Sequence, residues 1–265
     1  MELPPRWRIL RDGPGAGAWN MAFDEALART CRPGEGVLRT YAWSRPTLSF
    51  GRNQRARGVY DMESGRTLGA DMVRRPTGGR EVLHDRELTY AIVLPLADRR
   101  VGAARELHRL VGGALVEALR ALGVPATQAS DGIRAPHPDE GPCFGMPGAG
   151  EVEAGGRKVV GSAQGRFGGA LLQHGSILMA PSTLSLSALR AAEVVLQEQV
   201  FEPPSGIAGL LGRPPGVSEV RGVVEAAFAG AFGGSWEVGQ ARPMERDAAE
   251  ELMARNRSVE WTWRR

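Results

Sequence analysis

The chain has 265 residues, 42 % of them apolar and 24 % charged, with a formal net charge of +3, as expected of a soluble globular protein. Its longest apolar run, about Tyr90–Ala97, is far below the ~18 residues of a membrane span, and the N-terminal MELPPRWRILRDG has no apolar core of a secretory signal. Two cysteines, Cys31 and Cys143, make no CxxC, zinc ligand set or disulfide framework, so a reduced, cytoplasmic protein without a metal is expected.

Trp7–Arg11 reads as a short strand, and Asn20 as the cap of a helix, NMAFDEALART, with Met21, Phe23, Ala26 and Leu27 on its apolar stripe. VLRTYAW and TLSFG read as strands around a Ser-Arg-Pro turn, and Asp71–Arg75 as a strand entering a Gly-Gly turn. ELTYAIVLP is the clearest buried strand, β-branched, aromatic and bounded by Pro95. Leu107, Leu110, Val111, Ala114, Leu115, Ala118 and Leu119 keep helical spacing until Gly123 and Pro125 end it. From Ala129 to Gly156 the chain is loop-like, rich in Gly and Pro. RKVVGSAQ and GALLQHGSILM then form a hairpin around GRFGG. Helices follow over Leu184–Val195, Val217–Phe232 and Met244–Asn256, with a short WEVG strand before the last. Strands and helices mix without strict alternation, so the fold class is α+β with a mainly antiparallel or mixed sheet flanked by helices.

Of the 33 basic residues, 32 are arginine and one is lysine, Lys158. Arg and Lys interchange on a solvated surface but not where a compact ammonium is needed. The arginines are scattered along the sequence, and no helix-turn-helix, RNP-type run or dense basic tract points to nucleic acid. The mild basicity suits an acidic partner.

Four stretches could carry chemistry. In RRPTGGREVLHDRELTY, Gly78 and Gly79 let the backbone approach a ligand while Arg74, Arg75 and Arg80 add positive charge. An ordinary Gly-Gly turn is the plainer reading, as a structural role is for His84. In GGRKVVGSAQ, a strand bearing Lys158 meets a small-residue turn, Gly161-Ser162-Ala163, and period-two alternation puts Val160 on the same face as Lys158. Cys143 lies in DEGPCFGMPG, a poor place for core packing, and a thiolate beside an ammonium is a competent nucleophile. The richness in glycine predicts mobility around it. Cys31 reads as structural. LLQHGSILM places His174 at the polar centre of a strand, where it could orient a substrate, take a proton or be simply buried.

The series RRPTGG…LHDRELTY, GRKVVGSAQ and LQHGSIL, running from about Asn20 to Met179 with the helix NMAFDEAL, resembles the lipoate-protein ligase, octanoyltransferase and biotin protein ligase superfamily. The closest likeness within it is to LipM-type octanoyltransferases. These carry a Cys-Phe pair followed, fifteen residues after the Cys, by the Lys of a Gly-Arg-Lys strand, and here 158 − 143 = 15 separates Lys158 from Cys143. Between the two, this chain reads GMPGAGEVEAGG, where the family tends to polar and aromatic residues.

The resemblance implies one catalytic domain over residues 1–265, with core motifs at about 20–179 and a helical part at about 184–265. It implies that Cys143 takes octanoyl from acyl carrier protein as a thioester and passes it to a lysine of a lipoyl domain or the glycine cleavage H protein. Lys158 would assist, and no ATP or other cofactor is needed. Substrate binding would fall to Arg75, Thr77, Gly78, Gly79, His84, Gly161, Ser162, Ala163, Gln164, His174 and Gly175. A monomer is expected. Three other readings stay open at this point: an ATP-dependent lipoate or octanoate ligase, an amidotransferase drawing octanoyl from the H protein, and a non-catalytic acyl- or biotin-binding sensor.

Overall fold

The computed structural model describes residues 2–96, 102–129, 144, 150–191, 194 and 206–265. Strands β1 (Arg6–Gly15), β2 (Glu35–Trp43) and β6 (Glu87–Pro95) belong to one sheet, whereas β3 (Thr47–Phe50), β4 (Asp71–Arg74) and β5 (Val82–His84) form another. The large sheet also takes in β7 (Ala126–Gln128), β8 (Val152–Ala154), β9 (Arg157–Phe167), β10 (Ala170–Leu178) and β11 (Ser235–Val238). Its order is β11-β1-β2-β6-β10-β9-β8-β7, parallel across β11, β1 and β2 and antiparallel beyond. The small sheet runs β4-β3-β5. The expected mixed sheet is present, and the Ser-Arg-Pro turn hands the chain from one sheet to the other.

Helices cover both faces of the large sheet because alternate strand residues are apolar on both. On one face Tyr90, Ile92, Leu94, Leu171 and Ile177 pack with α3 (Ala103–Ala121) and α5 (Val217–Phe232). On the other, Tyr41, Ala91, Val93 and Leu172 pack with α1 (Gly17–Arg29) and α6 (Pro243–Arg257). A third apolar cluster, with Leu48, Phe50, Tyr60, Leu189 and Trp263, lies under the small sheet. Short helices α2 (Met62–Thr67), α4 (Gly206–Leu211) and α7 (Val259–Thr262) complete the described elements.

Four expectations change. Helix α1 starts at Gly17, so Asn20 is not its cap. Instead the Asn20 amide donates to the Gly15 and Ala42 carbonyls and its oxygen accepts from Arg39, which ties the helix to β1 and β2. Leu184–Ala191 forms turns and a 3-10 segment, Ser187–Leu189, with Arg190 bridging to Tyr60. Ser182 and Thr183 anchor on Asp85 and Leu189 is fully buried, so local bonding and one apolar plug replace helical stacking there. Residues 161–163 make no turn: β9 runs straight through them and the hairpin reverses at Gly168-Gly169. Finally, Val152 pairs with Val160 but Glu153 pairs with Lys158, so β9 carries one extra residue and bulges there. Strict alternation fails, and Val159 and Val160 enter the same core cluster.

Candidate active site

The site lies on the α1 face of the large sheet, where small residues on β9 and β10 leave room. Gly161 and Ala163 contribute no bulk there, Gly161 pairing with Ser176 and Ala163 with His174. At Gly175 a side chain would collide with the Tyr90 hydroxyl at 2.8 Å, so glycine is required for the two strands and Tyr90 to close up. The loop between β4 and β5 covers this floor. Gly79 turns it with φ +89°, a left-handed conformation open to glycine. The loop rests on Gly51, where a Cβ would overlap the Gly79 carbonyl. Arg75 braces it by donating to the Ser49 carbonyl and hydroxyl (both 2.8 Å) and to the Gly78 and Arg80 carbonyls (2.9 and 2.7 Å).

Between floor and loop is a cavity of about 30 Å³, lined by Arg75, Gly79, His84, Gly161, Ser162, Ala163, His174 and Gly175, with Met21, Tyr41, Trp43, Val82, Thr89 and Ser176. That is room for about one water.

Two carboxylate–imidazole–hydroxyl chains flank the cavity. In one, Asp24 accepts from His174 Nδ1 at 2.8 Å, and Thr77 Oγ1 lies 2.7 Å from His174 Nε2. Asp24 also accepts from Tyr41 (2.7 Å) and Arg39 (2.8 Å). Burial pushes the Asp24 carboxyl up, but the His174 bond, the Arg39 charge and the Tyr41 bond outweigh it and hold it below the usual range. The ionised Asp24 accepts a hydrogen bond from His174 Nδ1–H, and Nε2 faces the Thr77 hydroxyl. Burial, then the Asp24 charge, push the Tyr41 phenol well up, so it stays a donor.

In the second chain Glu87 accepts from His84 Nδ1 (2.7 Å), Ser176 (2.6 Å), Thr89 (2.7 Å) and Trp43 Nε1 (3.0 Å), all at Oε1. His84 Nε2 meets Ser49 Oγ at 2.6 Å, and the His84 ring stacks on Trp43 at 3.9 Å. Burial raises the Glu87 carboxyl, and the His84, Ser176 and Thr89 contacts more than reverse this, so it is ionised. Burial lowers the His84 imidazole below its ordinary value despite Glu87, with Arg75 and His174 adding to the effect.

The other expected residues divide. Thr77 and Gly78 belong to the covering loop. Gln164 lies off the cavity and donates to the Gln173 side chain and the Ala104 carbonyl. Lys158 does not line the cavity; its side chain is 0 % exposed, its Nζ is 2.6 Å from Glu151 Oε1, and it lies 5.2 Å from the Phe144 ring centroid. Cys143, the neighbour of Phe144, lies outside the described residues, as does most of the loop for which mobility is expected. Burial, followed by Glu35 and Glu245, pushes the Cys31 thiol up to about 11, which suits its structural reading and not a nucleophile. Sequence reasoning missed Asp24, Glu87, Trp43, Ser49 and Glu151. Asp24 is an acid within the apolar stretch NMAFDEAL, a weak signal, whereas Glu87 stands at the polar edge of ELTYAIVLP after His84-Asp85-Arg86 and gave none.

Residues 16–229 match the lipoyl protein ligase A/B catalytic domain model. The chain is 40 % identical to the octanoyltransferase LipM of Kyrpidia tusciae, covering 98 % of this chain and 99 % of that one. It is 36 % identical to the LipM of Moorella thermoacetica, with 98 % of each chain covered. Among solved structures it is similar in fold to a lipoate-protein ligase A bound with ATP (TM-score 0.79, 23 % identity, 98 % and 99 % covered). It is similar also to a bipartite lipoate protein ligase from Thermoplasma acidophilum (TM-score 0.76, 23 % identity, 99 % and 97 % covered). With its sheet, Gly-Gly loop and lysine strand in this arrangement, the chain belongs to the lipoyl protein ligase A/B catalytic domain family, among the LipM octanoyltransferases.

Proposed function

We propose that this protein is an octanoyltransferase of lipoate synthesis that moves octanoyl from acyl carrier protein, through a thioester on Cys143, to a lysine of a lipoyl domain or the glycine cleavage H protein. The observation that carries the reading is the enclosure of Lys158, the chain's only lysine, against the ring of Phe144. Cys143 directly precedes Phe144 in the sequence, which supports a thiol acting together with that ammonium. A cation there favours the thiolate over the thiol.

The thiolate attacks the thioester carbonyl, the new C–S bond forms, and the donor's sulfur leaves and takes a proton. One thioester replaces another, so the step needs no ATP. The amine of the acceptor lysine then attacks the acyl carbon, the bond to Cys143 Sγ breaks, and the proton lost from nitrogen restores the thiol. The amide product makes this half downhill. Backbone N–H groups of the Gly78-Gly79 turn, held by Arg75, are suited to an oxyanion.

Intact mass after mixing the protein with octanoyl-acyl carrier protein, without ATP, tests the reading. A hydroxylamine-labile octanoyl adduct that is lost in Cys143→Ala is expected. No adduct without ATP, together with octanoyl-adenylate from ATP and free octanoate, would move the protein to the ligase reaction.

A further inference from the structure

The Ser49 hydroxyl, fully buried on β3, has a single hydrogen to give and several neighbours. It lies 2.6 Å from His84 Nε2, 2.8 Å from Arg75 Nη1 and 3.5 Å from the Val82 carbonyl. Which way these bonds run follows from Glu87. That carboxylate is ionised and also accepts from Ser176, Thr89 and Trp43 at Oε1, so the His84 ring presents Nδ1–H to it at 2.7 Å. Burial, with Arg75 and His174 adding to it, keeps the His84 imidazole below its ordinary value despite Glu87, so the ring is neutral at neutral pH. A neutral ring with its proton on Nδ1 carries a lone pair at Nε2. The Ser49 hydrogen therefore goes to His84, and the Ser49 oxygen is left to accept. A guanidinium only donates, so Arg75 completes the chain.

From Arg75 the chain runs into the covering loop. Nη2 donates to the Gly78 and Arg80 carbonyls, which bracket Gly79. A peptide unit is planar and trans, so holding the Gly78 C=O aims the Gly79 N–H the opposite way. Gly79 lines the cavity, and Ser49 does not. The loop has further anchors. The Arg52 amide donates to the Thr77 carbonyl (2.7 Å), the Arg75 amide donates to the Phe50 carbonyl (2.8 Å), and the Thr77 hydroxyl meets His174. These bonds keep the loop attached, while the guanidinium sets the tilt of one peptide plane within it.

We propose that Ser49 is a positioning residue for acyl transfer: its hydroxyl, oriented by His84 and Glu87, fixes the Arg75 guanidinium and through it the Gly79 N–H that receives the oxyanion. The inference rests on the transfer reaction proposed above. An N–H stabilises a developing oxyanion to the extent that it is aimed before the charge appears. Tilting that peptide plane leaves the lining of the cavity in place, so the loss falls on kcat and not on KM.

The test is Ser49→Ala in the full chain, which removes one oxygen and leaves Glu87, His84 and Arg75 in place. With octanoyl-acyl carrier protein as donor, kcat should fall roughly tenfold while KM stays within about twofold. Amide exchange of the loop, read by mass spectrometry on a peptide spanning residues 75–81, should quicken, with β6 and β10 unaltered. In the unsubstituted protein, the imidazole nitrogen shifts of His84 by NMR should place its proton on Nδ1. An unchanged kcat, a raised KM at unchanged kcat, unaltered loop exchange, or a proton on Nε2 would each overturn the proposal. Exchange and NMR need no acyl donor, so they decide the orientation of the chain separately from the chemistry. Failure of the transfer reading shows instead as the absence of an octanoyl adduct on the unsubstituted protein.

Discussion

At the scale of single residues, the firmest point is Asp24. It is fully buried and joins Arg39, Tyr41 and His174, so three elements meet on one carboxylate. Asp24→Asn removes the buried one of the two carboxylates paired with Arg39 and leaves Asp12, a loss of about 3 kcal/mol. Tyr41→Phe removes one bond to a charged acceptor, about 2 kcal/mol. Urea unfolding of the two variants should give that order, and the reverse order would show that the charge is held elsewhere. These residues also mark how far the site could be read beforehand. Lys158 stood out because an arginine-rich chain kept one lysine, and the Gly-Gly loop and His174 stood out by motif. Asp24 and Glu87 did not, because a carboxylate becomes part of a site through partners 15 to 150 positions away or through a turn that brings His84 onto Glu87. Such pairings leave no periodic trace.

At the scale of elements, the covering loop and the β9 bulge set the geometry. The loop between β4 and β5 touches Gly51 so closely that any side chain there must displace it. Gly51→Ala should lower octanoyl transfer at least roughly tenfold, since a shift of about 1 Å in a positioned group costs that much or more, while far-ultraviolet circular dichroism stays unchanged. Full activity would show that the loop position does not matter for turnover. Local pattern predicted β6, α3, α5 and the β9–β10 hairpin well, because each has its own apolar period and turn residues. It missed β5, only three residues long, which exists because β3 is there to pair with it. It also gave Lys158 and Val160 one face, because a bulge is a disagreement between two strands and cannot be seen in either alone.

At the scale of the whole molecule, the buried acids and His84 set the response to pH. Asp24 and Glu87 are held below their ordinary values, so their contribution is present above about pH 4 and is lost as pH falls towards the lowered values. His84 is also lowered, so the unfolded chain takes its proton first, near pH 6.5, and stability begins to fall there. Urea midpoints should therefore be level from pH 8 to about 6.5, decline gently below it, and drop steeply below about 4. A level profile down to pH 4 would contradict the neutral, buried His84. The order of the large sheet has a consequence for how the chain is made. β1 lies between β2 and β11, and the partner on its outer side is residues 235–238, more than two hundred positions later. During synthesis the first strand can pair on one side and must wait for nearly the whole chain to cover the other. For that interval the ribosome-bound chain carries an open, twisted edge, and a holding chaperone or a second nascent chain would find its opportunity there.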